Sequence, residues 1–243
     1  MKKDIVFGLR PVIEALQAGR SMDKVLVSQS LKGHLASEVL DLVKEKGIRC
    51  LRVKPEQIDR VTRKNHQGVV GYFSPVEYQN IEEVVEKVLE KGKAPFVLIL
   101  DGITDVRNFG AIARTAECAG VDAIVLPEKG SVSVTSDAIK TSAGALFRIP
   151  VCREKNLYYV LRHLKNRDFF IAAASEKAET DYREVSFPNA VALILGAEDK
   201  GISTQLLKMA DTLVSIPIRG SIGSLNVSVA AGILIYEVLR NRS

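Results

Sequence analysis

Three stretches beyond residue 100 place polar and charged side chains beside glycine, each directly after an apolar run. The first is DGITDVRNFGAIAR (101–114), with Asn108, Gly110 and Arg114. A guanidinium is the side chain best shaped to clamp a phosphate through two parallel hydrogen bonds. The spacing predicts a helix from about Gly110 to Ala119, with Ile112, Thr115, Ala116 and Ala119 on its core stripe. Arg114 then lies about 200° around the helix from Ile112, on the opposite face. Spacing alone favours a solvated helix charge there; the alternative is a cation aimed over the strand ends. The second stretch is LGAEDKG (195–201), in which Gly196 and Gly201 let the backbone turn tightly on either side of Glu198. An ordinary strand-to-helix turn and a ligand-binding loop account for it equally. A phosphate-cradling P-loop does not, because Ile202 stands where that loop needs lysine. The third is IPIRGSIGSLNVSVA (216–230), where Pro217, Gly220 and Gly223 interrupt regular structure and Ser224, Asn226 and Ser228 open an apolar helix. One of the three suffices to cap a helix. Three in five residues exceed capping and mark a site.

The elements that must position these loops alternate. Helical patterns cover 11–18, 35–43, 55–63, 81–92, 156–166, 203–210 and about 226–239, and strand patterns 24–28, 48–53, 69–73, 96–101, 121–126, 168–174, 190–195 and 212–216. Continuous apolar strands such as FVLIL and VALIL belong in a parallel sheet covered on both faces. The alternation predicts an α/β fold, and ligands of such sheets collect at the carboxyl ends of the strands. The polar, proline-containing stretch SPVEYQN (74–80) reads as a linker, dividing a small α/β domain (1–74) from a mainly parallel-sheet domain (75–243).

Charge follows that division. Residues 1–74 hold 14 Lys and Arg against 8 Asp and Glu, a net of +6, while residues 75–243 hold 20 against 21, a net of −1. The whole surplus of +5 therefore belongs to the first third. Solvated surface lysines are one explanation, and a polyanion-binding module joined to a near-neutral catalytic body is the sharper one.

Composition removes several classes. With 47% hydrophobic and 26% charged residues the chain is neither disordered nor fibrous. Cys50, Cys118 and Cys152 form no CxxC pair, and His34, His66 and His163 are isolated, so a zinc site is not expected. No GxSxG elbow supports a serine hydrolase, and no Gly-x-Gly occurs to support the usual dinucleotide fingerprint. The apolar runs are far shorter than the ~20 residues that span a bilayer, and MKKDIVFGLRP lacks a signal-peptide core, so the expected location is cytoplasmic.

The three loops, in order and spacing, resemble the signature motifs of the SpoU-type RNA ribose 2'-O-methyltransferases of the SPOUT superfamily. Asn108, Gly110 and Arg114 stand as NxGxxxR, Gly196, Glu198 and Gly201 as GxExxG, and Pro217 to Ala230 as PxxGxxxSLNVSxA. The first third, with HQG at 66–68, resembles that family's RNA-substrate module. The likeness is greatest to members that methylate a guanosine ribose of 23S ribosomal RNA; relatives acting on transfer RNA share the motifs. The resemblance implies a deep trefoil knot in the second domain, S-adenosylmethionine as methyl donor, structured RNA as substrate, a homodimer, and neither metal nor membrane. It implies cofactor binding largely by backbone around Gly196, Gly201, Ile216, Pro217 and Leu225. It makes Arg114 the catalytic cation, with Asn108, Glu198, Ser224 and Asn226 orienting it, the ribose and the donor. A non-catalytic RNA-binding or ribosome-assembly protein of the same fold is the competing reading. A nucleotide-binding enzyme acting on small molecules is a third, and it has no use for a separate basic domain.

Overall fold

A computed structural model describes residues 5–188 and 190–242. The chain divides into two compact units, Met1–Glu77 and Tyr78–Ser243. The division falls three residues beyond the end at 74 read from sequence; residues 1–4 and 243 lie outside the described part.

The first unit is a four-stranded sheet in the order β1-β4-β2-β3, formed by β1 (Ile5–Phe7), β2 (Met22–Ser28), β3 (Arg49–Val53) and β4 (Val69–Phe73). β2 and β3 are parallel, and β4 runs antiparallel to both β1 and β2. Helices α1 (Leu9–Gln17) and α2 (His34–Glu45) bury Val12, Leu16, Val39 and Val43 against Val25, Val27 and Val69 of the sheet. The short α3 (Pro55–Asp59) sets Ile58 on the other face, against Leu26 and Val70. The HQG turn is built by its own side chains. His66 accepts from the Gly68 N–H through Nδ1 at 3.0 Å and meets Asp59 through Nε2 at 2.8 Å. Gln67, at φ 49°, accepts the Leu9 N–H at 3.0 Å and so ties the turn to the start of α1.

The second unit is a six-stranded parallel sheet between two helical layers, in the order β10-β8-β9-β5-β6-β7. Its strands are β5 (Phe96–Asp101), β6 (Ala123–Pro127), β7 (Val151–Glu154), β8 (Phe170–Ala174), β9 (Val191–Gly196) and β10 (Thr212–Val214). Val97 to Leu100 and Val191 to Ile194 are wholly buried, as strands covered on both faces require. One face packs on α4 (Ile81–Leu89), α7 (Leu157–Lys165) and α8 (Thr204–Leu207) through Val84, Val85, Val160, Leu161, Leu164 and Leu206. The alternate residues of each strand point the other way. That side carries α5 (Val106–Cys118), which packs on both α6 (Ser136–Thr141) and α9 (Val227–Asn241).

Among the described strands and α-helices, three have no counterpart in the sequence reading: β1, α6 and β7. The helix expected from Gly110 instead begins at Val106, because Asp105 caps it by accepting the Asn108 N–H at 2.8 Å. Gly110 is thus interior to α5, where a Cβ would come within 2.6 Å of Thr141 of α6. Among the described residues no helix is long and apolar enough to cross a membrane.

Candidate active site

The sheet has a switch point. From β5 the chain moves to β6 on one side, and from β9 it moves towards β10 on the other. β5 and β9 are neighbours in register, with Asp101 opposite Gly196 at their carboxyl ends. The loops after them diverge there and leave the crevice in which open α/β sheets bind ligands.

The turn 197–201 is closed by the Gly201 N–H donating to the Ala197 carbonyl at 2.8 Å. The chain then doubles back so closely that a Cβ on Gly196 would lie 2.2 Å from the Gly201 carbonyl carbon and 2.3 Å from the Ile202 nitrogen. Asp101 pins the exit of this turn by accepting the Ser203 N–H at 2.8 Å. Only glycine fits at 196, and that fixes where Glu198 stands.

Glu198 draws the three motifs together. Its Oε1 accepts from Asn108 Nδ2 at 3.2 Å, Asn226 Nδ2 at 2.7 Å and the Val227 N–H at 3.1 Å. Asn226 Nδ2 also donates to Asn108 Oδ1 at 3.0 Å, closing a ring. Asn226 Oδ1 caps α9, accepting the Ser228 N–H at 3.0 Å and the Ser228 hydroxyl at 2.5 Å. One carboxylate oxygen therefore binds the start of α5, the 197–201 turn and the N-terminus of α9. A carboxylate at a helix N-terminus also gains from the helix dipole.

Behind this ring lies an open cleft over the ends of β8, β9 and β10. Its walls are mainly apolar, from Leu195, Val214, Ile216, Ile218, Val227 and Leu234, with Ala230 beside them. Of the residues expected at the site, Gly196, Glu198, Gly201, Ile216, Ser224 and Leu225 line it. Pro217 does not, although it stands between the lining residues Ile216 and Ile218. Asn108 and Asn226 join the rim through Glu198.

Arg114 is not part of the ring. It is exposed, six residues beyond Asn108 and hence about 9 Å further along α5. Arg107, which the motif reading passed over, lies seven residues earlier and so on nearly the same face. Among the described residues, Arg107, Arg114 and Arg219 of the 216–226 loop make no hydrogen bond or ion pair. The other arginines of this unit are engaged: Arg148 with Glu117, Arg167 with Glu86, Arg183 with Asp181, Arg240 with Glu237, Arg153 and Arg242 with carbonyls, and Arg162 over the Tyr159 ring. The uncommitted guanidinium groups thus belong to the first and third motifs. Sequence reading also missed Ala174, Ser175 and Glu176, which line the cleft after β8; only their position past a strand end could have marked them. No cluster of metal-ligating side chains occurs among the described residues.

Comparison with known proteins fits this geometry. Residues 95–236 match the model of the SpoU rRNA methylase family, and residues 5–79 match that of the RNA 2'-O ribose methyltransferase substrate-binding domain. A Staphylococcus saprophyticus protein of the TrmH tRNA/rRNA methyltransferase family is 35% identical over 243 residues, 100% of this chain and 98% of that one. The AdoMet-bound rRNA methyltransferase of Sinorhizobium meliloti is 26% identical, with a TM-score of 0.62 over 98% of this chain and 87% of that one. The SpoU methyltransferase AviRb from Streptomyces viridochromogenes, solved with AdoMet, shares the fold at 22% identity, with a TM-score of 0.63 over 98% of this chain and 90% of that one.

Proposed function

Because the chain belongs to the SpoU rRNA methylase family, we propose that it transfers a methyl group from S-adenosylmethionine to the ribose 2'-hydroxyl of a guanosine in structured RNA, within 23S ribosomal RNA. The observation that carries this reading is the Glu198 ring, which gathers the three motifs at the mouth of a cleft of suitable kind. A mostly apolar cleft with a few polar groups at its rim has the character of a cofactor site. Gly196, Gly201, Ile216, Pro217 and Leu225 would hold the cofactor, largely through their backbone. When bound, it supplies an electrophilic methyl group on a sulfonium.

The protein's part is positioning. Displacement at a methyl carbon needs the nucleophile in line, and holding it there removes much of the barrier. A guanidinium stays protonated at neutral pH, so Arg114 holds the adjacent phosphate and the hydroxyl rather than removing a proton. Arg107, free on the same face, extends that grip along the RNA backbone. The rigid ring of Asn108, Glu198 and Asn226, with Ser224 at the rim, keeps the ribose facing the cleft, and the hydroxyl proton leaves to water.

The basic first unit captures the RNA through phosphate contacts and shape, so affinity falls steeply with salt. A homodimer belongs to the same reading. It is supported by an apolar stripe left open on α9, where Val229 and Tyr236 are each 51% exposed, and by Ile222, 77% exposed. The trefoil knot implied by the motif resemblance is part of the proposal too. The test is mass-spectrometric mapping of 2'-O-methyl ribose in ribosomal and transfer RNA from cells with and without the protein. One 23S guanosine losing its mark is the expected result. A lost mark in transfer RNA moves the substrate to that class, and no lost mark favours the non-catalytic reading.

A further inference from the structure

Two carboxylates line the cleft, Glu198 and Glu176. Glu198 already accepts three N–H groups on Oε1. Glu176 is exposed and makes no hydrogen bond or ion pair among the described residues. Its backbone is nevertheless held on both sides. The Ser175 N–H donates to the Val214 carbonyl at 2.9 Å, and Ser175 Oγ accepts the Lys177 N–H at 3.2 Å.

The placement of Glu176 is informative. β8 pairs in parallel with β9 from Phe170 opposite Val191 to Ala173 opposite Ile194. Glu176 therefore follows the end of the strand next to the one that carries the Gly196–Gly201 turn. In dinucleotide-binding parallel sheets, whose glycine turn differs from this one, an acidic side chain about 20 residues from the turn accepts a hydrogen bond from the adenosine ribose, and Glu176 stands 20 residues before Gly196. The rest of this wall is apolar or glycine apart from Ser175, Ser224 and Glu198, whose Oε1 already serves three N–H groups at the rim. A ribose diol brought into such a cleft loses water from two donors, which need an acceptor to replace it.

We propose that Glu176 accepts hydrogen bonds from the ribose hydroxyls of the adenosine cofactor. The proposal rests on reading the cleft as the cofactor site. Calorimetric titration of the full chain separates the two ideas. The ligands are S-adenosylmethionine, S-adenosylhomocysteine and the 2'-deoxyribose form of the latter. In Glu176→Ala both ribose ligands should weaken by the same factor, about tenfold or more. Glu176→Gln should fall between, and the deoxy ligand should lose much less. Weakening of S-adenosylmethionine alone overturns the proposal, because it assigns Glu176 to the sulfonium charge. Unchanged affinity for all three also overturns it. Two blocking variants test the cleft itself: Ala230→Phe on its wall and Ile218→Trp on its rim. If these folded variants bind normally, the cofactor site lies elsewhere. If they abolish binding while Glu176→Ala does not, the assignment of Glu176 alone fails.

Discussion

Replacing Glu198 isolates what the ring does. Glu198→Ala removes one acceptor that serves Asn108, Asn226 and the Val227 N–H at 3.2, 2.7 and 3.1 Å. Hydrogen bonds to a charged group are worth about 1.5–3 kcal/mol each when the abandoned partners stay dry. Here both asparagine side chains reach solvent, so water restores most of that, and about 1–2 kcal/mol of stability is the expected loss. That corresponds to roughly 2–8 °C in Tm for a unit of this size. The effect on turnover should be larger. Among the described residues no other hydrogen bond ties the 197–201 turn to both helix starts, and a displacement of about 1 Å at a reacting centre costs on the order of 10²-fold. Glu198→Gln keeps an acceptor oxygen for the same N–H groups and loses only the charge, so its turnover should stay within about tenfold of wild type. The assay is transfer of tritiated methyl from S-adenosylmethionine to RNA prepared from cells lacking the protein, with thermal melts alongside. Equal inactivity of the Gln and Ala variants, with both melting near wild type, would refute the positional argument and assign the carboxylate a charge or proton role.

Arg114→Ala should abolish methyl transfer and leave cofactor affinity within about twofold, since Arg114 lies outside the cleft lining; wild-type turnover would remove its role. Gly196→Ala puts a Cβ against the backbone of Gly201 and Ile202, which cannot yield as a side chain can, so about 2–3 kcal/mol of stability and most cofactor binding should be lost, read by melts and calorimetry. Val229→Glu combined with Tyr236→Glu should give a monomer by light scattering where the parent is a dimer; a monomeric parent refutes the dimer. Burial, aided by Glu154, pushes the Cys152 thiol up to about 12, so at pH 8 it holds almost no thiolate. Iodoacetamide should therefore label exposed Cys118 in the native protein and reach Cys152 only after unfolding, as mass spectrometry of the alkylated peptides will show.

The buried parallel strands were legible because their apolar runs admit few other uses: FVLILD forms β5 as read, and the run at 190–195 forms β9 within a residue. Short or polar elements were not. SDAIKT carries too little apolar surface to show a helical stripe, yet it forms α6 because Gly110 lets Thr141 approach α5. VCRE forms β7 only because β6 offers a parallel edge to pair with. A glycine followed by an apolar stripe suggests a helix opening at Gly110, whereas Asp105 caps α5 a turn earlier. The motifs at the site were legible as residue types, but not their division of labour. Asn108 and Asn226 are 118 positions apart, and no spacing rule makes them donors to one oxygen. Glu176 in the polar turn SEKAET gave no signal, since its meaning lies in the neighbouring strand.

The ring also bears on the class of ligand. In doubly wound sheets that bind phosphorylated nucleotides, a free helix N-terminus at the switch point receives the phosphate. Here α9 starts at that point, and its first N–H groups are taken: Val227 by Glu198 and Ser228 by Asn226. The negative charge that such a helix end favours is already supplied by the chain itself. A phosphate brought to this rim would meet the Glu198 carboxylate instead of open donors, and like charges at close range repel. The cleft is therefore suited to an adenosine compound without phosphates, and its second carboxylate, Glu176, strengthens the bias against anions. The uncommitted guanidinium groups of Arg107 and Arg114 lie outside the cleft along α5, where a polyanion can reach them. Separation of an anion-excluding cleft from an anion-seeking helix face is what a reaction between a cationic methyl donor and an RNA backbone requires. A small-molecule nucleotide enzyme would need the opposite arrangement.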